Sequence, residues 1–153
     1  MQITIPIEPQ QQERPRYSGR GRFVRVYDPK NTKQFKQAVK TYISDYMLKR
    51  NIIRFETPLV VTFVFYRNVQ KSVSKAEKLR RLDGIHPPYV KPDLSNYLKS
   101  VEDALNGVLW KDDSQIIGEH IIKLYSEQPR IEVVIEEWQE EHLKEFKITE
   151  ELR

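Results

Sequence analysis

Between Pro58 and Arg67 the chain reads Leu59, Val60, Val61, Thr62, Phe63, Val64, Phe65, Tyr66. Nearly every position is β-branched or aromatic, so a pleated strand built from it is apolar on both faces. Such a strand is expected at the centre of a sheet covered on both sides. Partners for the cover are readable on either side. Phe35, Ala38, Val39, Tyr42, Ile43, Tyr46 and Met47 recur at helical spacing, which predicts a helix capped by Asn31 or Thr32 and running to about Arg50. Leu94, Tyr97, Leu98, Val101, Ala104 and Leu105 repeat at steps of three and four, and Asn106-Gly107 supplies a stop signal.

Further strands are expected at three places. Ile3, Ile5 and Ile7 alternate with other residues, and Pro6 puts that strand at an edge or itself at a position that donates no ladder bond. Gln115 to Tyr125 and Arg130 to Glu136 complete the set, the latter with Ile131, Val133 and Ile135 alternating. Residues 10–29 are rich in arginine and turn formers and read as a loop or ragged hairpin. Residues 72–83 have a weak helical pattern, and 84–92, with three prolines, cannot be regular. The predicted fold class is α/β (α+β): one mixed β-sheet with packed helices, a single domain over 1–153, and an acidic helical tail from about 137 to 153. A chain of 153 residues, 39% of them hydrophobic, can fill one such core. With no cysteine, disulfides, thiolate zinc sites and thiol nucleophiles are excluded. No run of 18 apolar residues and no leader pattern is present, and a soluble cytoplasmic protein is expected.

The net charge of +4 is unevenly spread. Residues 1–50 carry 11 basic and 4 acidic groups, residues 51–100 carry 9 and 4, and residues 101–153 carry 6 and 14. A basic two-thirds beside an acidic third suits a polyanionic partner, because clustered Lys and Arg release counterions from phosphates. Two solvated faces would give the same arithmetic.

Carboxylates gather between residues 93 and 113. Asp93 after Pro92 marks a helix start, where a plain N-cap is the simplest role. Ser95, Lys99 and Asp103 share one helix face, which an ordinary ion-paired surface would also explain. The adjacent Asp112 and Asp113 repel each other and call for something cationic: a lysine, water, or a divalent cation held by carboxylate oxygens. Such a cation beside a phosphodiester would activate water and stabilise the leaving oxygen, with a nearby lysine offsetting developing charge.

The string KPDLSNYLKSVEDALNGVLWKDDSQI, residues 91–116, resembles the signature of the RusA family of Holliday junction resolvases, common in phages and prophages. In that family a D-x-D-N-x-x-K helix is followed by D-A-L-N-G and W-x-D-D-S-Q. The N-terminal ITIP strand, Arg14-Pro15-Arg16, the segment near Tyr27, Lys71-Ser72 and the strand SEQPRIEVVI extend the likeness over roughly 2–136. The resemblance implies a mixed α/β homodimer that resolves four-way DNA junctions in recombination and repair by paired, symmetric nicks. It implies Mg2+, with Mn2+ as a substitute, held by Asp93 and Asp113 with Asp112 beside them. Lys99 matches the lysine that acts on the phosphate, Asn96 the family asparagine, and Arg14, Arg16, Arg20, Arg22, Lys71 and Lys91 fall on the DNA-binding surface. One departure stands out: Ser95 occupies the place of a second aspartate, and a neutral hydroxyl is a poorer magnesium ligand. Three readings follow: a disabling change, a protein that binds junctions without cutting, or a tolerated change offset by Asp103.

Other candidates carry less. His86, His120 and His142 have no metal-ligand spacing, and Gly19-Arg20-Gly21 lacks the context of a phosphate loop. Tyr97, Trp110 and Tyr125 could stack on bases, but their spacing is that of core residues. A basic RNA-binding protein would explain the arginines and leave Asp112 and Asp113 without a role.

Overall fold

In the computed structural model, which describes residues 1–19 and 25–145, the elements follow one another as β1 (Gln2–Ile5), β2 (Arg16–Ser18), β3 (Arg25–Tyr27), α1 (Lys30–Arg50), β4 (Leu59–Arg67), α2 (Lys75–Leu82), α3 (Leu94–Leu105), a 3-10 turn (Asp113–Gln115), β5 (Ile116–Tyr125), β6 (Arg130–Glu137) and α4 (His142–Glu145). The apolar run forms β4, hydrogen-bonded to parallel β5 on one side and antiparallel β6 on the other, in a mixed sheet of order β1-β6-β4-β5. β1 is an edge strand, ends just before Pro6, and places Ile3 and Ile5 in the core. Ile7 lies beyond the strand and packs at the core's margin.

Leu59, Val61, Phe63 and Phe65 of β4, with Ile131, Val133 and Ile135 of β6, form one fully buried sheet face. Phe35, Val39, Ile43 and Met47 of α1 and Tyr97, Val101, Ala104 and Leu105 of α3 complete the same cluster. Burial of each large side chain contributes roughly 1.5–3 kcal/mol. The expectation of cover on both faces is corrected in part: Val60 is buried, but Thr62, Val64 and Tyr66 on the opposite face are only half-buried. Valine and aromatic side chains suit a half-buried pleat as well as a closed one, so composition did not separate the two cases.

The cap of α1 also differs. Pro29 is the N-cap and makes no side-chain cap bond, while Asn31 and Thr32 sit inside the first turn. Thr32 is buried and its hydroxyl instead accepts the Glu13 N–H at 3.3 Å, tying the N-terminal segment to the helix. The helix does end at Arg50, where Asn51 adopts the left-handed conformation (φ 52°) and its N–H closes onto Leu48 and Met47 carbonyls. α2 begins at Ser74, whose hydroxyl accepts the Glu77 N–H. Loop 84–92 is irregular and contains a cis Lys91-Pro92 bond. Residues 10–29 hold the antiparallel β2–β3 hairpin, which does not join the main sheet. Arg20 and Arg22 lie outside the described residues, as does the tail from 146 onward; ahead of that point α4 spans four residues. No helix among the described residues is long and apolar enough to cross a membrane.

Because Phe63 is fully buried between β5, β6 and the helices, Phe63→Ala should cost about 3–5 kcal/mol in urea unfolding. Val64→Ala, on the half-buried face, should cost distinctly less. Equal losses would mean that both faces are closed.

Candidate active site

Core packing sets the roll of α3. With Tyr97, Val101, Ala104 and Leu105 turned to the sheet, Ser95, Lys99, Glu102 and Asn106 fall on a stripe along the other side, and Ser95 and Lys99 are exposed. β5 flanks this helix. Its residues Glu119 and Lys123 pair in register with Val61 and Phe65, so both lie on the helix-covered side of the sheet.

The charges divide between the two ends of α3. At the N-terminal end Asp93 is the N-cap residue, yet its side chain makes no cap hydrogen bond. The plain-cap role is therefore not the one observed. Lys123 donates to the carbonyls of Val90 and Pro92 at 2.7 and 2.8 Å, and Arg67 donates to the Lys91 carbonyl at 2.7 Å, so two cations hold the proline loop beside Asp93. Burial and the nearby Arg67 hold Lys123 below the usual lysine range, while Asp93 pulls the other way.

At the C-terminal end Asp113 accepts from the Asn106 side-chain amide at 2.9 Å and from Trp110 Nε1 at 2.8 Å. Trp110 is fully buried, so this carboxylate is oriented from the core. The Glu102 carboxyl lies close to that of Glu119, and a hydrogen bond between two carboxyls requires that one hold a proton. Burial, that bond and the charge of Glu119, with lesser effects from Asp113 and Asp103, push the Glu102 pKa up to about 8. Glu119 Oε1 is buried with no N–H donor to it among the described residues. Glu102, Asp113 and Glu119 line one open cleft of about 350 Å3 together with residues 116–118.

α3 stands between Asp93 and Asp113, the two carboxylates expected to bind one ion. Twelve helical residues separate them, about 18 Å at 1.5 Å per residue. Magnesium ligands stand only about 2 Å from the metal, a reach much shorter than this helix. Asp112 is engaged elsewhere, accepting the Ser114 N–H at 2.9 Å and forming a capping box with Gln115. These hydrogen bonds from Ser114 hold it below the usual carboxylate range. The pair Asp112 and Asp113 is thereby satisfied by neutral donors rather than by a lysine. Asp103 pairs with Lys36 at 2.7 Å and not with Lys99. Among the described residues no three Asp, Glu or His side chains stand ready as a metal-ligand group.

Of the residues expected at DNA, Arg14 and Arg16 lie exposed at the hairpin, and Lys71 and Lys91 are exposed beyond the carboxyl end of β4. Arg67 bridges that end of β4 to the loop bearing Lys91. Glu102, Glu119 and Lys123 were missed as site residues. Two signals were present: Glu102 stands three residues after Lys99 on the same stripe, and Glu119 and Lys123 interrupt the core-facing parity of an apolar strand.

Residues 6–136 match the family described as Endodeoxyribonuclease RusA. The chain belongs to the RusA endodeoxyribonuclease family. It is also 40% identical over 139 residues to the uncharacterized protein YqaN of Bacillus subtilis (strain 168), with 90% of this chain and 96% of that protein covered. The α+β architecture with its mixed sheet is the RusA-like fold, and family membership supports nuclease activity on DNA.

The Glu102 proton has a thermodynamic signature. Its folded pKa of about 8 lies above the ordinary 4.5, so between those values the folded chain keeps a proton that the unfolded chain releases. Stability from this group is present below about pH 4.5, falls as pH rises, and is fully lost above about 8. In chelator-treated buffer, Glu102→Gln should flatten the decline of the urea midpoint across that window. An unchanged decline would mean that Glu102 ionises normally.

Proposed function

We propose that this RusA-family chain is a junction-selective, magnesium-dependent endodeoxyribonuclease whose chemistry lies at the C-terminal end of α3. The observation that carries the reading is the acidic cleft lined by Glu102, Glu119 and Asp113, one helical turn from Lys99. The donors fit the metal: all are carboxylate oxygens, the hard ligands magnesium prefers, and a cation between Glu102 and Glu119 would relieve the repulsion that raises the Glu102 pKa. One or two of these carboxylates, Glu102 and Glu119 first, would hold Mg2+, or Mn2+ in its place, with water and phosphate oxygens as further ligands; when bound it supplies an activated water and charge neutralisation at the leaving oxygen.

The other parts belong to the protein. Asn106 and Trp110 fix the Asp113 carboxylate so that little reorganisation is needed when charge develops. Lys99, exposed on the same stripe, meets the phosphate and offsets its negative charge. Asp93, with Lys123 and Arg67 behind it, meets the substrate strand at the other end of the helix. Arg14, Arg16, Lys71 and Lys91 hold the phosphates of the junction arms, with Arg20 and Arg22 continuing the basic run in sequence. Two copies about a two-fold axis would present two such sites, as paired symmetric nicks in a four-way junction require.

The reading with an intact site is preferred over the one in which Ser95 abolishes cutting. Ser95 lies seven residues, about 10 Å, from Glu102 along the helix, so its hydroxyl does not belong to the acidic cleft. On a labelled four-way junction with magnesium, Glu102→Gln and Asp113→Asn should each lower nicking by about 100-fold or more while leaving junction affinity nearly unchanged. Ser95→Asp should alter nicking by less than about threefold, because residue 95 is two helical turns away. If Asp113→Asn nicks normally, the cleft is not the metal site; if Ser95→Asp alone nicks, the natural chain is a junction-binding protein. Equal affinity for linear duplex and junction at one salt concentration would remove junction selectivity.

A further inference from the structure

Residues 16–27 hold a second feature that cleavage chemistry leaves unused. β2 and β3 form a two-stranded ribbon outside the main sheet, in which Arg16 faces Tyr27, Tyr17 faces Val26 and Ser18 faces Arg25. Every residue of β2 is exposed, and Tyr17 and Val26, directly opposite each other on one face, are 72% and 60% exposed. A tyrosine and a valine paired in water form an apolar surface that nothing among the described residues covers.

The root of this ribbon is fixed. Asp28 accepts from Lys36 at 2.8 Å and from Gln12 at 2.9 Å, and the same Lys36 reaches Asp103 on α3 at 2.7 Å. Burial alone would lower Lys36, but its bonds to Asp103 and Asp28 prevail and hold it above the usual lysine range. Gln12 N–H bonds to the Asn96 carbonyl and Ser100 Oγ–H to that of Gln10, so the segment leading into the ribbon is bound along α3. The ribbon is therefore carried at a set position beside the helix that bears Lys99 and Glu102.

We infer that the β2–β3 ribbon is a groove-reading element, which enters the major groove of a duplex arm with Tyr17 and Val26 against the base edges and Arg14 and Arg16 on the phosphates. The inference deepens the proposed function and rests on it. Charge selects the occupant: residues 14–27 contain five arginines and no acidic residue, and Arg14 and Arg16 are exposed. A protein partner for the apolar pair would have to face that cationic rim, whereas a duplex offers phosphates at the rim and thymine methyls on the groove floor. The major groove is wide enough to admit a two-stranded ribbon. Arginine to phosphate supplies affinity without sequence information, and the Tyr17–Val26 face supplies contact with bases.

The test separates these contributions by their salt dependence, using fluorescence anisotropy with labelled duplex and four-way junction. Arg16→Gln should weaken binding to both and reduce the slope of log affinity against log salt by about 1. The double variant Tyr17→Ser, Val26→Ser should weaken both about tenfold with the slope unchanged, since it removes no phosphate contact. Both variants alter exposed side chains, and circular dichroism with a urea midpoint checks that the fold is kept. Wild-type affinity in the double variant would overturn the ribbon assignment. So would a loss of self-association measured by sedimentation with DNA affinity per chain preserved, because the apolar pair would then be a contact between copies. If the natural chain binds neither DNA, the functional reading itself fails, which is a different result from a ribbon that makes no difference.

Discussion

The burial of one face of β4 against α1 and α3 governs the rest of the molecule. Leu59, Val61, Phe63 and Phe65 leave water only if two helices lie across them, and α3 can do so only with Tyr97, Val101, Ala104 and Leu105 turned inward. That roll leaves Lys99, Glu102 and Asn106 along the opposite stripe. A helix turned by one residue would bury charge and expose core, so the apolar contact also fixes the orientation of the polar side. Trp110, buried at the end of the same core, carries the constraint into Asp113 through its indole N–H.

Charge is arranged along α3 against the helix's own polarity. The carbonyl end of a helix is partly negative and favours cations, yet Glu102, Asp113 and Glu119 gather there. The amide end favours anions, yet Lys123 and Arg67 hold the loop there with Asp93. Hydrogen bonds from Asn106 and Trp110, and the proton kept by Glu102, offset the cost at the acidic end. Such local conflicts are common where a protein meets a ligand, since a sequence selected for stability alone would avoid them. At the other edge, Lys36 between Asp28 and Asp103 joins the hairpin's root to this helix.

Much of the fold was legible in local patterns. The β4 run, the periodicity of α1 and α3, the edge placement that Pro6 permits and the stop at Asn106-Gly107 all follow from short-range rules, and Gly107 indeed takes a positive φ of 74°. Where local patterns misled, the deciding quantity was not local. Asn31 and Thr32 looked like caps, but Thr32 is buried and its hydroxyl accepts the Glu13 N–H from another part of the chain. Asp112 and Asp113 looked alike as neighbours in sequence, yet one caps a turn and the other is held by Asn106 and Trp110.

The sequence by itself determined the RusA family, the apolar faces and the residue types able to bind metal and phosphate, because these depend on composition and spacing along one element. Only the tertiary structure decided which carboxylates meet. Asp93 and Asp113 flank a helix whose rigid rise keeps them apart, whereas Glu102 and Glu119, on different elements, are brought together when α3 packs beside β5. Proximity between elements is set by the closing of the core, and no spacing along the chain contains it.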